Sequence, residues 1–293
     1  SMGIGSDVSG TADAPAYLLK LGFKEALAVA GFRAEVLPEV LVSNGVKGKE
    51  ARLAAISKTV VAVREIVKGE ISKGRKVLAL GGDHALSIGT IAGAAEATAD
   101  IGIIWIDAHA DANTWKTSDS GNVHGMGASA VLGFGDERLT SVVKKKVKTK
   151  NFLYIGLKDL DQAEIDLIRS EKIAAVTMMD LLEHGFSMLA KEIQALQKKT
   201  KKVWVSMDMD SIDEQFAPGS AMATPGGLMY REITNLMALI GKTFEVVGMD
   251  LVEIVPKKDV AGKTARLAME LAASGFGSRY SWYSEYMEHY KES

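Results

Sequence analysis

The sequence predicts an α/β fold: one parallel sheet with helices on both faces. Three observations carry that expectation. Six short runs are apolar throughout instead of alternating in and out, which is how strands buried on both faces read. Longer helical windows separate them, and strand–helix alternation builds a parallel sheet. Polar side chains gather where the apolar runs end, the edge at which such sheets place their chemistry.

The elements follow in order. An early run, EVLPEVLV (35–42), carries Pro38, which offers no ladder hydrogen bond and suits a sheet edge better than its centre. The helical window ARLAAISKTVVAVREIVKGEI (51–71) leads to the strand KVLAL (76–80). The helix SIGTIAGAAEAT (87–98) precedes the strand IGIIWI (101–106), and FLYIG (152–156) and KIAAV (172–176) are the next strands. The helix SMLAKEIQALQKK (187–199) comes before the strands KVWVSM (202–207) and FEVVGM (244–249), and TARLAMELAAS (264–274) is the last helix.

With 293 residues, 47% of them hydrophobic, the chain can bury a large core. No repeat or Pro/Gly/Ser-rich linker divides it, so a single domain over 1–293 is expected. Lys+Arg 35 against Asp+Glu 37 leaves a net charge of -2, which points to neither nucleic acid nor a membrane as partner. The basic runs KKKVKTK (144–150) and KKTKK (198–202) each precede a strand and read as solvated loops or helix ends. The absence of cysteine excludes disulfides, thiolate catalysis and sulfur-based zinc sites. No apolar run approaches the roughly 18 residues of a membrane span. No secretory signal opens the chain, and Ser1-Met2 reads as a cloning remnant. A cytoplasmic location is expected, unless a targeting segment has been trimmed ahead of it.

The strand ends carry the chemistry. KVLAL runs into Gly81-Gly82-Asp83-His84, IGIIWI into Asp107, His109 and Asp111, and KVWVSM into Asp208 and Asp210 with Asp213 beyond. FLYIGLK is followed by Asp159 and Asp161, and FEVVGMD by Glu253. In an extended chain, positions i, i+2 and i+4 face one side, so Asp107, His109 and Asp111 are expected to converge. Grouped carboxylates repel and resist burial by several kcal/mol unless cations lie between them. Two His and four Asp without sulfur suit manganese better than zinc or copper. Six protein ligands are too many for one open catalytic ion and fit two ions sharing carboxylates. Asp83, by contrast, reads mainly as a helix N-cap. His124, in the Gly-flanked loop SDSGNVHGMG, is either a proton-transfer group or an exposed histidine. His184 and His289 read as surface residues.

Six ordered segments, GGDHALSIGT, IWIDAHADANT, SGNVHGM, GLKDLD, SMDMDSID and MDLVEIVP, together resemble the ureohydrolase family, its arginase branch in particular. The resemblance implies a three-layer α/β/α sandwich around a mostly parallel sheet. It implies two Mn²⁺ per subunit held by His84, Asp107, His109, Asp111, Asp208 and Asp210, with Asp107 and Asp208 bridging. It implies hydrolysis of L-arginine to L-ornithine and urea. Asp111, His124 and Glu253 would be the catalytic set: Asp111 passes a proton to the leaving amine, His124 exchanges protons with solvent, and Glu253 pairs with the guanidinium. Asn113, Ser118 and Ser120 would hold the substrate's α-carboxylate and Asp161 its α-amino group. YREI, with Arg231 and Glu232, resembles a segment that forms salt bridges in a homotrimer.

The chain also departs from the family. Ser211 and Glu214 stand where Gly and Pro are usual, and Ala221-Met222-Ala223 replaces Gly-Thr-Pro, so no substrate-contacting Thr is carried over. A strand that ordinarily comes before the N-terminal Gly-rich segment is missing, which should expose the neighbouring sheet backbone. The altered 221–223 loop keeps an agmatinase-like or other guanidino-hydrolase activity as the alternative. A weakly active, metal-binding member is the second. The aromatic tail SRYSWYSEYMEHYKES has no counterpart.

Overall fold

A computed structural model describes residues 2–42 and 46–278. Helices α1 (Ala14–Lys20), α2 (Phe23–Val29) and α3 (Lys49–Ser72) come before β1 (Val77–Leu80). Then follow α4 (Leu86–Ala97), β2 (Gly102–Ile106), α5 (Gly127–Leu132), α6 (Glu137–Thr140), β3 (Phe152–Leu157), α7 (Gln162–Ser170) and β4 (Ala174–Thr177). The chain continues through α8 (Met178–His184), α9 (Phe186–Gln197), β5 (Lys202–Asp208), α10 (Tyr230–Thr243), β6 (Glu245–Val252) and α11 (Lys263–Gly275).

The strands form one sheet in the order β1-β6-β5-β2-β3-β4, and every pairing is parallel. The expected mostly parallel sheet is therefore wholly parallel among the described residues. Alternate side chains of β2 feed opposite cores. Ile103 and Trp105 pack with Ile56 and Val60 of α3 and Ile88 and Ile91 of α4. Ile104 and Ile106 pack with residues of α9, α10 and α11, among them Ile193, Leu236 and Leu271. Both faces are buried, and the pattern of β2 and β3 is uninterrupted burial, as continuous apolar runs require.

One expected strand is absent. Residues 35–42 join no sheet. Pro38 removes a ladder donor, and Val36, Leu37 and Leu41 stay exposed, so the segment has little apolar burial to gain by pairing. β1 is therefore the last strand at its end of the sheet, and all four of its residues are only half-buried. An apolar groove of about 1070 Å³ lies beside it, lined by Phe23, Leu27, Val63, Val67, Leu78 and Leu80. His289 and the aromatic tail from 279 onward lie outside the described residues, and His184 is at the surface as expected.

α3 and α4 touch through their backbones. A Cβ on Gly89 would stand 2.5 Å from the carbonyl oxygen of Val60, and one on Gly93 2.5 Å from that of Arg64. A helical carbonyl cannot rotate away. Gly93→Ala should therefore destabilise by about 1–3 kcal/mol, outweighing the ~1 kcal/mol that Ala gains in helix propensity. A melting temperature equal to or above that of the parent would contradict this packing.

Candidate metal centre

The parallel order brings the carboxyl ends of β6, β5 and β2 side by side, with β1 next to β6. The turn after β1 delivers His84, the segment after β2 delivers Asp107, His109 and Asp111, and the end of β5 delivers Asp208 and Asp210. All six expected ligands meet. His84, Asp107 and Asp111 form one triad, and Asp107, His109 and Asp210 a second. Nδ1 of His84 lies 3.0 Å from Asp107 Oδ2, 2.9 Å from Asp111 Oδ2 and 3.2 Å from Asp208 Oδ2. Nδ1 of His109 lies 3.5 Å from Asp107 Oδ1 and 3.2 Å from Asp210 Oδ2. Asp107 thus turns one oxygen to each triad.

The cause of the convergence differs from the extended-chain expectation. The chain leaves β2 in a turn, with Asp107 Oδ1 accepting from the His109 N–H at 2.8 Å. Asp111 adopts a φ of 48°. Asp208 caps a similar turn, accepting from the Asp210 N–H at 2.8 Å. Glu253, past the end of β6, has a φ of 60°. Left-handed backbone at non-glycine residues costs about 1–3 kcal/mol each and clusters at functional sites. Local turns, not strand alternation, aim these side chains.

The electrostatics ask for positive charge. Burial opposes charging of the His84 imidazole, yet the carboxylates of Asp107, Asp111 and Asp208 prevail and hold its pKa well above the ordinary value. Burial likewise opposes charge on His109, and Asp107 with Asp210 push it up to about 12. Burial and neighbouring carboxylates raise Asp208 well above its usual range and Asp210 to about 6. Burial also works against ionised Asp107, but the two imidazoles hold its carboxyl below the usual range. His84 Nδ1 and Asp111 Oδ2 are buried without a hydrogen bond although they lie 2.9 Å apart. Donor atoms of imidazole and carboxylate converging at this spacing suit a cation, and the oxygen-and-imidazole set is a hard-to-borderline one.

Metal uptake should displace protons. Imidazole ligates only when neutral, and the surrounding carboxylates favour the protonated form of both histidines in the metal-free protein. Loading at pH 7 is expected to release protons, and affinity is expected to fall steeply as pH falls. Metal binding in unbuffered solution with no acidification would contradict the assignment of His84 and His109.

Glu253 and His124 form the adjoining wall. Glu253 Oε1 accepts from the His84 backbone N–H at 2.9 Å and lies 3.3 Å from His124 Nδ1, while Oε2 is buried and unpaired. Burial opposes charge on His124, but Glu253 outweighs it and its pKa rises to about 9. Asp83 is fully buried, accepting from the Gly5 and Ala85 N–H groups at 2.8 and 3.1 Å; it is not the helix N-cap expected, since Ala85 takes that position ahead of α4.

The loop after Asp111 divides. Asn113 is buried and its Nδ2 donates to Asp161 Oδ2 at 2.7 Å. Ser118 and Ser120 sit farther out and are occupied with Gly121 N–H and Asn122 N–H. Thr117, overlooked in the sequence, donates to Asn113 Oδ1 at 2.8 Å. Glu164 was also overlooked. Its Oε1 accepts from Ala112 N–H at 2.9 Å and its Oε2 from Asp161 N–H at 3.0 Å, clamping the two segments together. Burial pushes its carboxyl up to about 7. The D-x-x-E spacing of Asp161 and Glu164 signalled the capping box, but nothing local signalled the bond to Ala112.

The departures are accommodated. Ser211 Oγ donates to the Asp208 carbonyl at 2.7 Å, tying the turn that carries Asp210. Ala221 N–H donates to the Glu253 carbonyl at 2.7 Å, so the altered loop fastens to the wall of the site through backbone. Glu232 Oε2 accepts from the Met229 N–H at 2.9 Å and caps α10.

Known proteins resemble this chain in sequence and fold. A family profile described as Arginase family matches residues 4–277. The chain is 35% identical to an arginase of Brevibacillus brevis over 285 residues, covering 95% of this chain and 96% of that one. It is 38% identical to an arginase of Bacillus caldovelox over 228 residues, covering 77% and 75%. The solved structure of the Bacillus caldovelox arginase superposes with a TM-score of 0.88 at 32% identity over 94% of this chain and 97% of that one. The agmatine ureohydrolase of Thermoplasma volcanium shares the fold, with a TM-score of 0.63 at 22% identity over 96% and 86%. The chain belongs to the arginase family.

Proposed function

We propose that this chain, read as a single ureohydrolase domain, hydrolyses the guanidinium group of L-arginine to L-ornithine and urea. The observation that carries the reading is the pair of His/Asp triads sharing Asp107 beside the unpaired Glu253 Oε2. The six residues His84, Asp107, His109, Asp111, Asp208 and Asp210 would hold two Mn²⁺ ions, with Asp107 and Asp208 shared. Bound there, the ions would supply Lewis acidity and bring the pKa of a water from ~16 towards ~7.

Glu253 accepts the guanidinium on Oε2 and fixes its central carbon in position for attack, the positioning term of catalysis. A C–O bond forms from water, and the C–N bond to the ornithine side chain breaks. Asp111 carries the proton lost by water to the departing amine, and His124 exchanges protons with solvent. Its side chain is 21% exposed, which gives it the access that exchange needs. Asp161 binds the α-amino group. Asn113, Ser118 and Ser120 bind the α-carboxylate, with Asn113 held in register by Asp161 and Thr117.

The test compares kcat/KM for L-arginine and agmatine in Mn²⁺-loaded protein. Arginine should be preferred by at least about tenfold, since an unmet buried polar group costs ~1–3 kcal/mol. Preference for agmatine would favour the agmatinase-like reading, for which the altered 221–223 loop is the motive. Full metal occupancy without urea release from any guanidino compound would favour a weakly active metal-binding member. We read the assembly as a trimer held by Arg231 and Glu232, checked by light scattering, and the compartment as the cytoplasm. No helix among the described residues is long and apolar enough to cross a membrane.

A further inference from the structure

A second buried carboxylate lies behind the centre. Asp250, on β6, is fully buried and has no Lys, Arg or His ion-pair partner among the described residues. Four side-chain donors converge on it from β5 and α4. Ser206 Oγ and Ser87 Oγ donate to Oδ1 at 2.6 and 3.1 Å, and Thr90 Oγ1 and Trp204 Nε1 to Oδ2 at 2.7 Å each. Each oxygen accepts two hydrogen bonds, which fills the lone-pair positions of a carboxylate.

That arrangement dictates where protons go. Ser206 has one hydroxyl hydrogen, and its shortest contact, 2.6 Å, is to Asp250. With that hydrogen on Asp250, Ser206 accepts from His84, whose Nε2 lies 2.9 Å from the same oxygen, and it also meets Ser87 Oγ at 2.9 Å. Nε2 must carry a hydrogen, and Nδ1 is the nitrogen left to face Asp107, Asp111 and Asp208. Trp105 stacks on the ring at 4.2 Å and fixes its plane. Orienting partners of this kind set the tautomer and direction of a ligating imidazole.

We propose that Asp250 is a positioning residue that acts through Ser206 to hold His84 with Nε2–H inward and Nδ1 aimed at the three carboxylates. This rests on reading the two triads as a metal centre. Ser87 Oγ also lies 2.9 Å from Ser206 Oγ and so flanks the line, whereas Thr90 and Trp204 anchor the carboxylate without bonding to Ser206. The line is therefore separable from its scaffold.

The experiment measures the two Mn²⁺ dissociation constants, from the electron spin resonance of free ion, together with the melting temperature of the metal-free protein. The variants are Ser206→Ala, Asp250→Asn and the off-line control Thr90→Val. Cutting the line should weaken one ion about 10–100-fold, the usual range for lost orienting partners, and leave the other nearly unchanged. Thr90→Val should lower the melting temperature without moving either constant. Ser206→Ala should have no further effect in a His84→Asn background and keep its effect in a His109→Asn background. Wild-type constants in Ser206→Ala, or losses at both ions that track melting temperature in all three variants, would overturn the assignment alone. A parent protein that takes up no Mn²⁺ would overturn the metal-centre reading and this assignment with it.

Discussion

Asp107→Asn is expected to abolish turnover by weakening both bound cations at once. The carboxylate turns Oδ2 to the His84 triad and Oδ1 to the His109 triad, so one substitution removes a negative charge from each. A unit charge pair about 4 Å apart at an effective dielectric of ~20 is worth ~4 kcal/mol, or roughly 10³-fold in each binding constant. Asn also creates a donor clash. Asp107 accepts from Trp105 Nε1 at 2.9 Å and from the His109 N–H at 2.8 Å, and an amide group must present its NH₂ to one of them. Against this, metal-free Asp107→Asn loses part of its like-charge repulsion, so its melting temperature should change much less than its metal affinity. Two manganese ions still bound at micromolar metal, or activity within tenfold of the parent, would refute the shared role of Asp107.

Glu253→Gln should have the next largest effect, and a different signature. Glu253 belongs to neither triad, so metal content should stay at the parental level. The loss falls on the guanidinium. A charge-assisted hydrogen bond contributes about 1.5–3 kcal/mol, and a misplaced reacting carbon costs ~10²-fold more. The expected fall in kcat/KM is on the order of 10³-fold. His84 adds a check on integrity, because its backbone N–H donates to Glu253 Oε1 and can still donate to a Gln carbonyl. Loss of metal together with activity would make Glu253 a structural support and not the guanidinium partner.

The alternation of apolar strands and helical windows was legible because burial on both faces leaves uninterrupted runs such as those of β2 and β3. Each of the six strands starts and ends within about three residues of its expected position. Residues 35–42 misled for a physical reason. An apolar run with Pro reads as an edge strand, but whether it pairs depends on burial that the local sequence does not encode. The candidate site residues were legible because strand ends carry them in short, ordered segments. Glu164 and Asp250 were not, because their bonds to Ala112 and Ser206 span 52 and 44 residues. The local sequence around each reads as a helix cap and a strand interior.

The sequence by itself determined the α/β alternation, the six expected ligand residues and the family resemblance, since these depend on side-chain type and local spacing. Tertiary structure alone decided that the strands run β1-β6-β5-β2-β3-β4, which sets the ends of β5 and β2 side by side. It also decided that Asp107 stands between two triads, and that turns with left-handed residues at Asp111 and Glu253 aim the side chains. Strand order and side-chain aim follow from long-range burial and pairing, whose free energy belongs to the packed whole and to no single segment.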